Sequence, residues 1–323
     1  MCTAACFYDN GLYFGRTLDY EFSYGEEIVI LPRNKEIEFF YEGTPKSCYA
    51  IIGTAHVEGN YPMFYDAANE CGLCMAGLNF VGNAKYNDFK QNAKNVAQYE
   101  FIIWILRQCK SVCEAKELLI STNITDKPFS DKLPAAQLHW MIADKSECIT
   151  VESTKDGLNI YENPTNVMTN NPPFPFQMFA LNNYASLSTK QPEINFGSEL
   201  DIKLYSRGMG AIGLPGDWSS GSRFVRAAFV RANSSPQNDE QGSVGRLFHI
   251  LGSVNQVKGC CDVDGKYEYT IYTSCISADK GIYYYKTYDG HRICAVDMHK
   301  ENLDSAELIR FPMIDTFNAE FLN

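Results

Sequence analysis

The sequence lacks long hydrophobic runs. No segment reaches the ~18 consecutive apolar residues that a membrane-spanning helix needs. The N-terminus also lacks an apolar stretch of signal-peptide length, because Asp9 interrupts its first apolar run. We therefore expect a cytoplasmic protein with no membrane partner, in which the 12 cysteines are reduced thiols.

Basic residues are in the minority. The chain has 28 Lys and Arg against 39 Asp and Glu, which gives a net charge of −11. A protein that binds nucleic acid needs a basic stripe to neutralise phosphates, and none is visible along the sequence. We therefore exclude nucleic acid as a partner. The 45% of hydrophobic residues instead predicts a globular chain with a sizeable core.

The cysteines lack the spacing of a metal site. A structural zinc site needs four ligands that converge, whereas this sequence offers isolated pairs with no histidine pair beside them. The pairs are Cys71 and Cys74, Cys109 and Cys113, and Cys260 and Cys261. We interpret them as small hydrophobic side chains and predict no metal ion and no cofactor. A cysteine-rich metal-binding or redox protein is the alternative from another functional class.

The N-terminus carries the main chemical signal. Cys2 becomes the first residue when Met1 is removed, and its small side chain favours that removal. The processed chain then carries a thiol and a free α-amine on one residue. An α-amine titrates near ~8, so part of it can act as a base at neutral pH. Cys2 is then a nucleophile with its own base; the alternative is an ordinary second residue at a frayed end.

A predicted β-hairpin brings charged residues back to Cys2. Residues 2–8 and 12–18 are β-type runs, and the Asn10-Gly11 pair between them favours the positive φ angles of a tight turn. The hairpin places Arg16 and Asp19 beside the N-terminus. A cation near a sulfur atom favours the thiolate, and a carboxylate near an amine orients it.

Two asparagines and a further arginine complete the set of candidates. Asn79 and Asn170 end apolar runs, where amide or backbone N–H groups can face a developing oxyanion. Arg223 begins an apolar helical pattern. Each has a simpler interpretation, because asparagine is a common turn residue and Arg16 or Arg223 can form a surface ion pair.

The order of elements predicts an α+β fold and a single domain over residues 1–323. Strand patterns cluster at both ends of the chain, helical patterns fall into two blocks, and no repeat or long linker divides them. The clearest predicted helix runs from Asn95 to Cys109, where apolar residues recur at spacings of three and four.

Short motifs along the whole chain resemble those of the choloylglycine hydrolase family, a family of N-terminal-nucleophile (Ntn) hydrolases. The motifs are Met-Cys-Thr at 1–3, Phe-Gly-Arg-Thr-Leu-Asp at 14–19, Asn-Glu-Cys-Gly-Leu at 69–73, Ala-Gly-Leu-Asn-Phe at 76–80, Thr-Asn-Asn-Pro at 169–172, Gly-Leu-Pro-Gly-Asp at 213–217, Ser-Arg-Phe at 222–224, Tyr-Thr-Ser-Cys at 272–275 and Lys-Gly-Ile-Tyr-Tyr-Tyr at 280–285. So many motifs in one order are not expected by chance.

The resemblance implies a fold and a role for each candidate. The fold is a four-layer αββα sandwich, in which two antiparallel sheets lie between helical layers, and the assembly is a homotetramer. Met1 is removed on maturation, and Cys2 is the nucleophile with its own amine as base. Arg16 and Asp19 attend the sulfur and the amine, Asn79 and Asn170 form the oxyanion site, and Arg223 supports the nucleophile.

The resemblance also implies the substrates. Bile salt hydrolases resemble this chain in having Asn at position 79, whereas penicillin acylases often carry Tyr, so glycine- or taurine-conjugated bile salts are favoured. The apolar groove for a steroid is predicted to include Leu18, Phe22, Phe64 and Leu133. The alternative is that these four side chains belong to the ordinary core. A penicillin V acylase, and a catalytically silent binding protein that keeps Met1, are the alternatives.

Overall fold

The structure is a computed structural model that describes residues 1–45, 48–197 and 199–323. Its strands, in chain order, are β1 (Cys2–Tyr8), β2 (Leu12–Tyr20), β3 (Glu27–Leu31), β4 (Ile51–Glu58), β5 (Tyr61–Asn69), β6 (Cys74–Asn79), β7 (Lys94–Ala97), β8 (Thr122–Thr125), β9 (Leu138–Ala143), β10 (Cys148–Thr154), β11 (Gly157–Glu162), β12 (Val167–Met168), β13 (Asp262–Val263), β14 (Lys266–Tyr267), β15 (Tyr269–Ser277), β16 (Ile282–Thr287), β17 (Cys294–Asp297) and β18 (Ile309–Pro312). Its α-helices are α1 (Phe101–Gln108), α2 (Val112–Ile120), α3 (Phe174–Ala180), α4 (Ser220–Asn233) and α5 (Glu240–Gly252).

Two antiparallel sheets form the centre of the molecule. The six-stranded sheet has the order β12-β1-β2-β15-β16-β17, and the eight-stranded sheet has the order β11-β10-β9-β6-β5-β4-β3-β18. Strands β7 and β8 form a separate parallel pair, and β13 and β14 a short hairpin. Cys2 lies in the six-stranded sheet, beside its central strands.

Three apolar clusters fill the spaces between the layers of the fold. Phe14 and Ile28 belong to the cluster shared by the two sheets. On the outer side of the eight-stranded sheet, Ile142 packs with residues of α1 and α2. On the outer side of the six-stranded sheet, Phe7 packs with residues of α4 and α5 such as Phe224. The layers therefore run helix, sheet, sheet, helix, which confirms the predicted four-layer αββα fold.

The N-terminal hairpin forms as the sequence predicts. Strand β1 pairs with β2 so that Cys2 lies opposite Leu18 and Ala4 opposite Arg16. Both strands are buried along almost their whole length, because one face packs on the other sheet and the other on helices. At Gly15 a Cβ atom would lie 2.1 Å from the carbonyl oxygen of Ser274, so only glycine allows β15 to approach this closely.

The helix predicted from Asn95 to Cys109 is wrong in its first part. Residues 94–97 form strand β7, residues 98–100 form a 3-10 turn, and α1 begins only at Phe101. The β-conformation is stabilised by the parallel partner β8, and the Glu100 carboxylate accepts a hydrogen bond from the Ala97 N–H at 3.1 Å. Contacts distant in sequence therefore override the local helical pattern. None of the helices in the described part of the chain has the length and apolar character needed to span a bilayer.

Candidate active site

Cys2 lies at the start of β1 and lines a cavity, although only 2% of the residue is exposed. Its backbone N–H donates to Asn170 Oδ1 at 2.8 Å. Its carbonyl oxygen accepts from Arg223 Nη1 at 2.7 Å. Both sides of the Cys2 backbone are thus held by side chains, so the thiol is presented from a fixed position.

Arg16 connects the two sheets beside Cys2. From β2 its Nη1 donates to the carbonyl oxygens of Tyr65 (3.1 Å) and Gly77 (2.7 Å), which belong to the eight-stranded sheet. Burial lowers the pKa of the Arg16 guanidinium, but Cys2, Tyr272, Asp66 and Asp19 oppose burial and raise this pKa above its ordinary value. Arg16 is therefore a permanent, buried cation on the cavity wall.

Asp19 is fully buried next to the N-terminal residues. Its Oδ2 accepts from Thr17 Oγ1 at 3.0 Å, and its Oδ1 accepts from Thr270 Oγ1 at 2.6 Å. Its Oδ2 also lies 3.9 Å from Arg223 Nη1. The carboxylate is therefore fixed by three partners within the space around β1.

Met1 precedes Cys2 and is held by polar contacts of its own. Its ammonium donates to the Asp19 carbonyl oxygen at 2.6 Å and also contacts the Glu268 carboxylate. Burial lowers the pKa of this N-terminal amine, while neighbouring acidic groups oppose the effect. While Met1 is present, the nitrogen of Cys2 is a peptide nitrogen without a basic lone pair, so Cys2 has no base of its own.

The side chain of Asn170 forms hydrogen bonds with three other candidate residues of the site. Its Oδ1 accepts from the Cys2 N–H and, at 2.7 Å, from Arg223 Nη2, while its Nδ2 donates to the Asn79 carbonyl oxygen at 2.8 Å. The Asn79 residue itself lies on the cavity wall, at the end of β6. The side-chain amide of Asn170 thus connects strand β1, helix α4 and the edge of the cavity.

Arg223 is fully buried near the start of α4. Besides Cys2 and Asn170, its guanidinium donates to Thr3 Oγ1 at 2.6 Å and to the Trp218 carbonyl at 3.0 Å. Burial lowers the pKa of Arg223, and Asp19 and Cys2 oppose this effect. The structure therefore brings together all six predicted residues of the reaction site: Cys2, Arg16, Asp19, Asn79, Asn170 and Arg223.

A set of residues that the sequence interpretation missed fixes Asn170. Gln177 Nε2 donates to the Asn170 carbonyl at 2.5 Å, and the Asn170 N–H donates to Ser220 Oγ at 2.8 Å. Nearby, the two ring nitrogens of His139 lie 3.0 Å from Glu152 and 2.8 Å from the Thr169 carbonyl. No local motif marks Gln177 or Ser220, because their role depends on folding distant segments together.

The cavity beside Cys2 has a volume of about 420 Å³ and a largely apolar wall. Leu18, Phe64 and Leu133 lie on that wall, together with Tyr99 and Phe129. The size falls within the range of small-molecule sites.

Phe22 lies away from the cavity wall that was predicted to include it. It is 43% exposed, and its ring packs against Tyr20 at 5.2 Å and Tyr24 at 4.8 Å, measured between ring centroids. Tyr20 and Tyr24 line the cavity, so Phe22 contacts two residues of the wall without being part of it.

In two of the cysteine pairs, one member is buried and the other is exposed. Cys74 is buried whereas Cys71 is exposed, and Cys109 is buried whereas Cys113 is exposed. Over residues 1–45, 48–197 and 199–323, no group of three or more potential metal ligands comes together.

The family assignment follows from comparison with known proteins. A model of the family described as linear amide C–N hydrolases, choloylglycine hydrolase family, matches residues 2–311. The chain belongs to the choloylglycine hydrolase family. A relative from Lactiplantibacillus plantarum, named bile salt hydrolase/transferase, is 51% identical over 315 residues and covers 97% of each chain. As a member of this family, the chain is a linear amide C–N hydrolase.

Solved structures agree with the choloylglycine hydrolase fold. A C2A variant of conjugated bile acid hydrolase from Clostridium perfringens superposes with a TM-score of 0.93, at 36% identity and with full coverage of both chains. Penicillin V acylase from Agrobacterium tumefaciens gives a TM-score of 0.76 at 21% identity, covering 98% of this chain and 94% of that one. The second similarity concerns the fold alone.

Proposed function

We propose that the chain hydrolyses the amide bond of glycine- and taurine-conjugated bile acids, with Cys2 as nucleophile after Met1 is removed. The observation that carries the proposal is the position of Cys2, held by Asn170 and Arg223 at the wall of an apolar cavity. The 51% identity to the bile salt hydrolase/transferase of Lactiplantibacillus plantarum supports the substrate class.

In the first half-reaction the Cys2 thiol gives its proton to the α-amine of the same residue. The thiolate forms an S–C bond to the amide carbon, and the carbonyl oxygen takes the negative charge. Asn79, on the cavity wall, donates to this oxyanion, and Asn170 supports the site by fixing the Asn79 backbone and the Cys2 nitrogen. The C–N bond then breaks, and the proton held by the α-amine leaves with glycine or taurine.

In the second half-reaction a water molecule replaces the leaving amine. The α-amine takes a proton from this water as its oxygen attacks the thioester carbon. The S–C bond breaks, the bile acid is released, and the proton returns to the sulfur. Asp19 supports the Cys2 backbone through Arg223. Its carboxylate, which is fixed by two threonines, lies 3.9 Å from Nη1 of Arg223, and this nitrogen donates to the Cys2 carbonyl.

The proposed substrate class is tested by comparing hydrolysis of glycocholate, taurocholate and penicillin V in the presence and absence of EDTA. We expect both bile salts to be cleaved with kcat/KM at least ~10-fold above that for penicillin V, because the steroid buries more apolar surface in the cavity. EDTA should leave the rates unchanged. Preferred cleavage of penicillin V would favour the acylase alternative, and loss of activity in EDTA would favour a metal-dependent protein.

The apolar wall gives a second test. Leu133→Ala removes a side chain that lines the cavity, so we expect KM for glycocholate to rise about 10-fold, which corresponds to loss of roughly 1.4 kcal/mol of apolar contact. Phe22→Ala is the matched control, because Phe22 packs on Tyr20 and Tyr24 and does not line the cavity. The KM of this variant should stay within about twofold of the wild-type value. Steady-state kinetics measure both. A larger effect from Phe22→Ala than from Leu133→Ala would contradict this position of the groove.

The homotetramer implied by the resemblance stays a prediction, as do the cytoplasmic location and the single domain expected from the sequence pattern.

A further inference from the structure

Asp66 is a buried carboxylate without a role in the reaction described so far. It lies on β5, is fully buried between the two sheets, and accepts hydrogen bonds from three hydroxyl groups of the six-stranded sheet. These donors are Tyr272 (2.5 Å), Tyr283 (2.7 Å) and Ser274 (2.8 Å). Asp66 is thus the acceptor at the centre of a polar cluster within an otherwise apolar core.

The hydrogen bonds around Asp66 suit a carboxylate. Tyr272 donates to Oδ1, and Ser274 and Tyr283 donate to Oδ2, so both oxygens serve as acceptors. A protonated acid would instead donate from one of these oxygens. Burial raises the pKa of Asp66 above its ordinary value, and Arg16 and the three hydroxyl donors oppose this rise without cancelling it.

The cluster is connected directly to Arg16. Ser274 Oγ, which donates to Asp66, also accepts the backbone N–H of Arg16 at 3.1 Å. The neighbour of Asp66 in β5, Tyr65, supplies a carbonyl oxygen to the Arg16 guanidinium. Arg16 is therefore held by Ser274, the partner of Asp66 on β15, and by Tyr65, its neighbour on β5.

Asp66 also completes the charge balance around the nucleophile. Arg16 and Arg223 are two buried cations, and Asp19 and Asp66 are two buried carboxylates. A charge that is removed from water needs a compensating charge nearby. Without Asp66, the other three groups would together carry a net positive charge next to Cys2.

We propose that Asp66 is a positioning residue for amide hydrolysis, which fixes Arg16 beside Cys2 through Ser274 and sets the charge balance of the nucleophile site. This role rests on the proposed function of Cys2 as nucleophile. It acts through Arg16, since Asp66 itself is separated from the cavity by the residues that line it.

The expected pH effect involves all the titratable groups that face these residues. Those around Cys2 and the N-terminal amine are Arg16, Asp19, Glu21, Arg223 and Glu268. Those that face Asp66 are Arg16, Cys74, Tyr272 and Tyr283. Asp66→Asn removes one negative charge from this set. The remaining positive charge favours the thiolate, so alkylation of Cys2 should begin at lower pH.

The experiment follows the rate of Cys2 alkylation by iodoacetamide as a function of pH, read from the mass of the N-terminal peptide. For Asp66→Asn we expect the midpoint of this profile to fall by about one pH unit. Tyr283→Phe is the matched control, because it removes one donor from Asp66 but keeps the charge, and its midpoint should stay within about 0.3 pH unit of wild type. An unchanged midpoint in folded Asp66→Asn, or equal shifts in both variants, would overturn the proposal.

A second variant keeps the test decisive if Asp66→Asn does not fold. Ser274→Ala removes the hydroxyl that joins Asp66 to the Arg16 N–H. We expect kcat for glycocholate to fall about 10-fold with a smaller change in KM, because the apolar wall of the cavity is unchanged and only Arg16 is displaced. An unchanged kcat overturns the proposal. Alkylation of Cys2 needs no substrate, so the alkylation profile tests the role of Asp66 alone. Hydrolysis of bile salts by the wild-type protein tests the proposed function separately.

Discussion

Replacing Cys2 by alanine is expected to lower kcat/KM for glycocholate by at least ~10⁴-fold. The variant keeps the α-amine and every hydrogen bond made by the Cys2 backbone, including those with Asn170 and Arg223. It loses only the sulfur, which is the atom that forms the covalent intermediate. The fold should survive, because the side chains are close in size and the neighbouring strand β2 is unchanged.

Cys6→Ala is the matched control for this variant. Cys6 is another fully buried cysteine on β1, and its thiol lies against Asn166 at 3.6 Å, away from the residues that line the cavity. We expect its kcat/KM to remain within about threefold of the wild-type value, since it loses packing and not chemistry. Turnover by Cys2→Ala comparable to that of Cys6→Ala would show that the sulfur of Cys2 is not the nucleophile.

Removing the amide of Asn170 is expected to lower kcat by roughly 10²- to 10³-fold. Asn170→Ala deletes the acceptor for the Cys2 nitrogen and Arg223, and the donor to the Asn79 carbonyl. The base and the oxyanion donor are therefore both displaced from the reacting amide. Because these buried groups lose their partner, the variant should also be about 1–3 kcal/mol less stable to unfolding.

Asn171→Ala, at the exposed neighbour of Asn170, is the matched control for Asn170→Ala. Its Nδ2 donates to the Val81 carbonyl at 2.7 Å on the surface of the protein, so Asn171→Ala should change kcat by less than about threefold. Stopped-time product assays give kcat, and denaturant unfolding gives the stability of each variant. The proposed role of Asn170 is wrong if its alanine variant is folded and retains wild-type kcat.

Local sequence was sufficient for the parts of the site that lie on one hairpin. The Asn10-Gly11 turn and the two flanking β-type runs predict that Arg16 and Asp19 return to Cys2, and the register of β1 and β2 confirms this. The layered fold was predicted through the family motifs. These features depend on short-range turn chemistry or on motifs that can be read one at a time.

Other features depend on contacts that no local pattern records. Residues 94–97 have a helical apolar spacing but form β7, because β8 provides a parallel partner. Asp66 and Ser274 are 208 residues apart and meet only when the two sheets pack. Phe22 follows the N-terminal hairpin in sequence, yet it packs on Tyr20 and Tyr24 and is not among the residues that line the cavity.

The most direct measurement is tandem mass spectrometry of the N-terminal peptide from enzyme quenched in acid during turnover of glycocholate. We expect this peptide to begin at Cys2, without Met1, and a fraction of it to carry the cholyl group as a thioester on Cys2 Sγ. A fully active enzyme whose N-terminal peptide still contains Met1, or one that carries the acyl group on another residue, would contradict Cys2 as the N-terminal nucleophile.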